Sequence, residues 1–157
     1  MHANRIPGPR RPRTVLVPEP SRLLPPRKIA LNVASRVMAS LGADVDLNNT
    51  ANYFDGPSVA QGLVGTWFVV GTVTVIDTTA IAGLSAKLWD GTTVIASARS
   101  VNGVANIHTT ITLSGFIVGP AGNLRISVKD ESTVNGKIIF NASGNSKDST
   151  ITAIRIA

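Results

Sequence analysis

Few residues in this sequence have the types and spacing that catalysis requires. The only histidines are His2 and His108, and His108 falls on the polar face of a Thr-rich run, so a Ser-His-Asp arrangement lacks a well-placed base. The sequence contains no cysteine, which excludes a thiol nucleophile, a disulfide framework and a zinc-thiolate site. We therefore expect a protein that is not an enzyme.

The carboxylates are distributed as turn residues. Asp44 and Asp46 alternate onto one outward strand face with no further ligand group nearby, which favours a solvated face over a calcium site. The remaining carboxylates of the body fall in predicted turns, where Asp bonds the local backbone: Asp55, Asp77, Asp90, Asp130, Glu131 and Asp148. No Gly-rich phosphate loop follows a strand and opens a helix. The sequence predicts neither a cofactor nor a metal.

The aromatic side chains lie within predicted strands. They are Trp67, Phe68, Trp89, Phe116 and Phe140. Core packing is the simpler interpretation of these positions, and a sugar-binding platform is the alternative.

Positive charge is concentrated at the N-terminus. Residues 1–36 hold eight Lys or Arg against one Glu, a net charge of +7, whereas residues 37–157 hold seven against eight acidic residues, a net charge of −1. Seven of the nine prolines fall within residues 1–28, which predicts an extended segment and not a helix. Fully extended, that segment spans roughly 90–100 Å, enough to reach a neighbouring subunit. We divide the chain into a basic arm, 1–36, and a domain, 37–157.

The arm carries the candidate attachment residues. Its arginines can bind nucleic acid through phosphates, or the arm can be a tether laid along a protein surface. The prolines, which reduce the entropy lost on docking, and the Val-Leu clusters between them favour the tether. The attachment residues are Arg10, Arg11, Arg13, Val15, Leu16, Val17, Leu23, Leu24, Arg27 and Lys28.

Residues 66–76 predict the central strand of the domain. Alternate positions are apolar on both sides, with Trp67, Val69, Val73 and Val75 on one face and Phe68, Val70 and Ile76 on the other. Gly71, at the midpoint, indicates a bend, a bulge or a close approach of backbone. A strand that is apolar on both faces needs a packing layer on each side.

Other strand-like runs are spaced regularly between Gly, Pro and Asn turns. Residues 84–98 predict a hairpin around Asp90-Gly91, followed by a loop at 99–106 and strands at 107–117, 124–128, 137–142 and 150–157. Residues 29–47 predict one long or two short strands, preferred over a helix, and residues 48–65 predict short strands around Tyr53 and Val59. About eight strands indicate an all-β antiparallel sandwich, and both jelly-roll and immunoglobulin-like folds fit.

Three runs carry a family resemblance: GTWFVVGTVTV at 65–75, AKLWDGTTVIAS at 86–97 and GNLRISV at 122–128. They resemble strands of the trimeric jelly rolls of the tumour-necrosis-factor and complement-subunit type, a pattern that recurs in bacteriophage head-decoration and fibre or spike proteins. The resemblance covers residues 37–157. It implies an antiparallel jelly-roll sandwich that forms a homotrimer, preceded by an arm that fixes it to a virion assembled in the host cytoplasm.

These observations lead to three hypotheses about function. The first is a non-enzymatic virion protein whose arm contacts other capsid or tail proteins, and the second is a receptor- or glycan-binding module that uses loops 77–82, 99–106 and 143–149. The third is a capsid protein whose arm binds nucleic acid. No run approaches the ~20 apolar residues of a membrane span. For the trimer we expect an interface of at least ~1,200 Å² per pair that buries residues from strands 66–76 and 107–117.

Overall fold

The computed structural model of the protein describes residues 35–79 and 81–157, where all regular structure is β-strand. This confirms the predicted all-β class. The strands are β1 (Arg36–Ser40), β2 (Val45–Leu47), β3 (Phe54–Val59), β4 (Thr66–Asp77), β5 (Ala82–Trp89), β6 (Val94–Asn102), β7 (Thr109–Val118), β8 (Leu124–Asp130), β9 (Gly136–Ile139) and β10 (Thr150–Arg155).

The strands pair antiparallel in two sheets. In the first sheet β4 is central, with β7 along one edge and β10 and then β9 along the other, while β1 pairs with β10 and β2 with β9. The second sheet has the order β3-β8-β5-β6. β1 and β2 together occupy one strand position of the first sheet, and β9 and β10 together occupy another. The ten segments therefore fill the eight strand positions of a jelly roll. The predicted jelly-roll sandwich is therefore confirmed.

Strand β4 has the alternation that the sequence predicted. Trp67, Val69, Val73 and Val75 are buried against the second sheet, and Phe68 and Val70 are half-buried on the outer face. Its register with β7 is continuous from Thr66 to Val75, without a bulge. The strand is thus the centre of the first sheet.

Strand β6 corrects the prediction of a loop at residues 99–106. It continues to Asn102, with Arg99 paired to Ser85 and Asn102 paired to Ala82. β6 forms an edge of the second sheet, where polar side chains remain hydrated. The inward-facing residues of this extension are Ser100 and Asn102, which pair with the buried Leu84 and Ala82. Because both are polar, the run lacks the alternate apolar residues that predict a half-buried strand.

Other strand boundaries also differ from prediction, most clearly in residues 48–65 and at the end of β9. Residues 48–65 contain one strand, β3, whose pairing with β8 is irregular between Asp55 and Ser58. This irregularity accommodates Pro57, which has no N–H to donate to a ladder. β9 ends at Ile139, three residues before the predicted end, and the Ile139 carbonyl accepts a hydrogen bond from the Ser149 hydroxyl at 2.7 Å.

The core lies between the two sheets. It is made of aliphatic side chains that alternate along the facing strands, so each sheet contributes one face. The largest fully buried apolar side chains are Leu47, Val69, Val73, Val75, Leu84, Leu88, Leu124, Ile126, Val128, Ile138 and Ile151.

Gly71 is a point of close approach between the sheets, one of the alternatives that the sequence predicted. A Cβ added there would lie 2.7 Å from the Thr150 carbonyl oxygen and 2.8 Å from Cδ1 of Ile126, on strand β8. Both distances are shorter than van der Waals contact. The absence of a side chain at Gly71 therefore lets Ile126 pack against β4.

Asp90 ties the β5–β6 turn to the β7–β8 turn. Its Oδ1 accepts hydrogen bonds from the amides of Thr92 and Thr93 at 2.8 and 2.6 Å, and its Oδ2 accepts one from the Ala121 amide at 2.7 Å. Burial favours the neutral carboxyl, but the amides outweigh burial and lower the pKa of Asp90 below its usual value. The ionised carboxylate therefore stabilises the folded state.

We expect Gly71→Ala to lower the free energy of unfolding by about 1–3 kcal/mol, because the methyl group displaces either Thr150 or Ile126. Gly42→Ala is the matched control, since a Cβ there meets no atom within 4 Å, and we expect a change below about 0.5 kcal/mol. Denaturant unfolding at one protein concentration measures both changes. Equal midpoints for the two variants would contradict the close approach.

We expect Asp90→Asn to lower the free energy of unfolding by about 1–3 kcal/mol at pH 7. Because the folded-state pKa is lowered, the contribution of Asp90 is complete above the unfolded pKa of about 4 and disappears as the pH falls through the folded value. The difference between wild type and variant should therefore shrink in acid, as measured by thermal unfolding at a series of pH values. A difference that is independent of pH would argue against a role for the ionised carboxylate.

Candidate functional surfaces

Carboxylates at the chain turns are engaged in local hydrogen bonds. Asp130 Oδ1 accepts from the amides of Ser132 and Thr133 at 2.9 Å each, and Asp77 Oδ1 accepts from the Thr79 amide at 2.7 Å. The Thr133 hydroxyl contacts both Asp77 and Asp130. These groups hold the β4–β5 and β8–β9 turns together, which is the turn role predicted for them.

Asp55 and Glu131 depart from that turn role. Asp55 lies within β3 and accepts a hydrogen bond from Ser127 at 2.5 Å. Glu131 accepts from Ser85 and Arg99, both at 2.6 Å, and these bonds lower its pKa. Both carboxylates therefore belong to the outer face of the second sheet.

Candidate metal and acid-base groups are dispersed over the surface. Asp44 accepts a hydrogen bond from the Phe140 amide at 3.0 Å, and Asp46 pairs with Lys137 at 3.1 Å. His108 is exposed, close to Asp148. Among residues 35–79 and 81–157, no group of three or more His, Cys, Asp or Glu residues could hold a metal ion. The same residues include no helix long and apolar enough to cross a membrane.

The outer face of the first sheet is apolar near the beginning of β4. Phe68 pairs with Phe116 on β7 and with Ile154 on β10, and the two phenyl rings are 5.0 Å apart between centroids. We call the following six side chains the apolar face: Met38, Phe68, Val70, Phe116, Val118 and Ile154. Three of them are largely exposed, Met38 at 62 %, Phe116 at 64 % and Val118 at 77 %. Contiguous apolar surface of this kind is typical of an interaction site.

The apolar face is bordered by uncharged polar side chains along β4, β7 and β10 and by one charged residue, Arg36, which pairs with Ile154 at the β1 edge. At the edge of the apolar face, Val70 pairs with Ser114 on β7 and Thr152 on β10. At the next outward position of β4, Thr72 pairs with Thr112 and Thr150. Hydroxyl groups can hydrogen-bond either to water or to a partner at low desolvation cost. The surface thus has the low charge that is characteristic of the centre of a protein interface.

The segment between β9 and β10 contacts the opposite end of β4. Thr74 donates from its amide to the Ser149 hydroxyl and from its own hydroxyl to the Asp148 carbonyl, both at 3.1 Å. Thr74 and Ile76, which point outward by alternation, are buried. The chain therefore covers one end of this sheet face itself and leaves the apolar face open.

Two of the three loops predicted to bind a receptor meet in the structure. The Asn106 amide, at the end of loop 99–106, donates to the Asp77 carbonyl at the start of loop 77–82, at 2.7 Å. Loop 143–149 contacts the first sheet, where Lys147 bonds Ser40 at 3.1 Å, and its Asp148 is close to His108, two residues beyond loop 99–106. A receptor-binding role for the three loops stays a prediction.

The predicted core role of the aromatics is correct for Trp67 and wrong for Phe68, Trp89 and Phe116. Trp67 is buried, whereas the other three point away from the core. Strand parity explains this difference, because Leu84, Ala86 and Leu88 fill the inner face of β5 and leave Trp89 on the outer face.

The outer face of the second sheet places cations against aromatic rings. The Lys87 Nζ atom lies 3.3 Å from the Trp89 ring centroid and 4.3 Å from that of Tyr53, and the Arg125 guanidinium lies 4.8 Å from the Trp89 ring. We call these four residues the cation-aromatic face. A sugar-binding platform was the alternative role predicted for Trp89 from sequence, but Trp89 was not brought together with Tyr53, Lys87 and Arg125, although the alternation of Lys87 with Leu88 was visible. The proximity of Tyr53 to Lys87 depends on the pairing of β3, β8 and β5, which is non-local.

The predicted attachment residues lie outside the described part of the chain. They are Arg10, Arg11, Arg13, Val15, Leu16, Val17, Leu23, Leu24, Arg27 and Lys28. Their role in attachment stays a prediction.

Comparison with known proteins gives structural likenesses only. No protein-family model and no curated protein sequence matches this chain. The C-terminal CBM6 of LamC from Zobellia galactanivorans is 14 % identical with a TM-score of 0.39, over 78 % of this chain and 100 % of that one. PRD1 vertex protein P5 is 16 % identical with a TM-score of 0.38, over 79 % and 96 % of the two chains.

A third likeness is to a chain of infectious bursal disease virus, strain Gx. It is 10 % identical with a TM-score of 0.43, over 87 % of this chain and 42 % of that chain. At such low identities and TM-scores, none of the three likenesses assigns a family or a function. The jelly-roll fold rests on the strand order of the chain itself.

Proposed function

We propose that the chain is a non-enzymatic structural protein of a bacteriophage particle, a jelly roll that forms a homotrimer and is tethered by its N-terminal arm to the capsid or tail. The observation that carries this proposal is the apolar face, which a lone sandwich leaves in contact with water. Assembly of identical copies removes that surface from water.

The apolar face supports contact between copies because of its composition. Its exposed members, Met38, Phe116 and Val118, are large, and burying one such side chain contributes about 1.5–3 kcal/mol. Apart from Arg36 on β1, its neighbours along the strands are Thr and Ser, so few ionic groups lose hydration on contact. A three-fold axis would close the assembly and bury β4 and β7 of each copy, with an interface of at least ~1,200 Å² per pair.

The arm supports attachment through its charge and stiffness. Its net charge of +7 exceeds that of the whole chain, +6, and its prolines lower the entropy that an extended segment loses on docking. An acidic groove on another virion protein is the partner that this chemistry fits. If the arm instead neutralises packaged nucleic acid, binding of an oligonucleotide to the full chain would weaken steeply with salt.

A receptor-binding tip is the second candidate, favoured by one observation. Loops 77–82 and 99–106 are joined at one end of the sandwich, and the exposed apolar side chains Ile81, Val104 and Ile107 lie in or beside them. Such a tip is compatible with trimer formation through the first sheet. Loss of host-cell binding on substitution of Val104, with unchanged assembly, would support it.

Val118→Glu tests the assembly proposal in the full chain. We expect the charge to weaken self-association at least about tenfold, because one carboxylate per copy would be buried without a partner. Multi-angle light scattering at micromolar concentration should give a trimer mass for the wild type and a lower mass for the variant.

Val94→Glu is the matched control, because Val94 is 53 % exposed on β6 of the second sheet and should leave the trimer intact. A monomeric wild-type chain would reject assembly through the apolar face. A trimer that tolerates Val118→Glu as well as it tolerates Val94→Glu would place the interface elsewhere.

A further inference from the structure

The outer face of the second sheet, on which the cation-aromatic face lies, has more positive charge than its carboxylates Asp55 and Glu131 neutralise. Arg125 NH1 lies 3.3 Å from Asp55 Oδ2, and Arg99 and Lys129 pair with Glu131 at 2.6 and 3.8 Å. Lys87 is the remaining cation of this face. Within the described residues, it makes no hydrogen bond or ion pair.

Lys87 is held in place without a counterion. Its ammonium lies against the Trp89 and Tyr53 rings, which supply cation–π attraction but accept no conventional hydrogen bond. Partial burial lowers the pKa of Lys87, the nearby Asp55 carboxylate raises it, and Arg125 lowers it further. The three N–H donors of the ammonium have thus lost part of their hydration and have gained no protein acceptor in exchange.

The rest of the face is fixed by hydrogen bonds. The Trp89 indole N–H donates to the Ser127 hydroxyl at 2.6 Å, and that hydroxyl donates to Asp55 at 2.5 Å. Asp55 in turn pairs with Arg125, whose Nε is buried without a hydrogen-bond partner among the described residues. Trp89 and the Arg125 guanidinium are therefore oriented before any ligand arrives, which lowers the entropic cost of binding.

We propose that the cation-aromatic face binds an acidic carbohydrate, with the sugar carboxylate on Lys87 beside Arg125 and the sugar ring along the edges of Trp89 and Tyr53, whose ring faces Lys87 covers. The carboxylate supplies the acceptor that Lys87 lacks. The sugar hydroxyls donate to Asp55, whose side chain is 49 % exposed.

The neighbouring carboxylates favour this ligand over a polyanion. Asp55 acts electrostatically on Lys87, and Glu131 lies beside Arg99 and Lys129 on the same sheet face, so the evenly spaced phosphates of a nucleic acid would pass close to negative charge. In a sugar with one carboxylate and several hydroxyls, the carboxylate can bind Lys87 while the hydroxyls donate to acceptors such as Asp55. A neutral sugar would leave the Lys87 ammonium without its counterion.

This site goes beyond the proposed assembly role and does not depend on it. The apolar face belongs to the first sheet, and the cation-aromatic face covers the outside of the second. Contact between copies through the first sheet would therefore leave the carbohydrate site accessible on each copy.

The two tryptophans of the chain provide a reporter and an internal control. Trp89 lies in the site, whereas Trp67 is buried in the first sheet with its indole N–H on the Val64 carbonyl at 3.1 Å. In a titration of the full chain with D-glucuronate at constant ionic strength, we expect the Trp89 indole N–H resonance to shift saturably and that of Trp67 to stay in place. D-glucose, which has a hydroxymethyl group in place of the carboxylate, should leave both resonances unchanged.

A substitution pair links this shift to Lys87. Lys87→Gln should weaken glucuronate binding about tenfold or more, as expected for the loss of a charge-assisted hydrogen bond. Lys137→Gln removes the same charge from the first sheet and should leave binding unchanged.

Three results would overturn the proposal. They are no shift of Trp89 with glucuronate, an equal shift with glucose, and an equal response to inorganic phosphate, which would identify a general anion site. None of these results bears on whether the chain forms a trimer, so this proposal and the assembly proposal fail separately.

Discussion

The packing of β4 is the constraint on which the rest of the fold depends. Both of its edges are hydrogen-bonded, to β7 on one side and to β10 and β9 on the other, so the first sheet is assembled around it. Its inner-face side chains form one side of the core. At Gly71 the second sheet lies so close that a methyl group would not fit. The register of the first sheet and the distance between the two sheets therefore both depend on this strand.

The outer face of β4 connects fold to function. A two-layer sandwich covers only one side of each sheet, and the chain covers the Thr74 end of the other side with the segment before β10. The Phe68 end has no such cover among the described residues, and there Phe116 and Val118 are largely exposed. Apolar surface in water is the driving force that we assign to assembly.

The sequence predicted those parts of the fold that have local signals. β4 was identified by two-sided alternation, and the β5–β6 hairpin by Asp90-Gly91, since each pattern lies within a dozen residues. The continuation of β6 was missed because its inward-facing residues, Ser100 and Asn102, are polar. The cation-aromatic face was missed because Tyr53, Lys87 and Arg125 are far apart in sequence and meet only through the strand order of the second sheet. The outer residues of β4 and β7 were expected from sequence as an interface, and a sugar-binding platform was the alternative role given to Trp89.

Electron cryomicroscopy of the assembly that the full chain forms at micromolar concentration tests the central claim most directly. The proposal predicts three copies around one axis, with Phe116 and Val118 of each copy in contact with a neighbour and the second sheet facing outward. An assembly in which Phe116 and Val118 face solvent in every copy would contradict it.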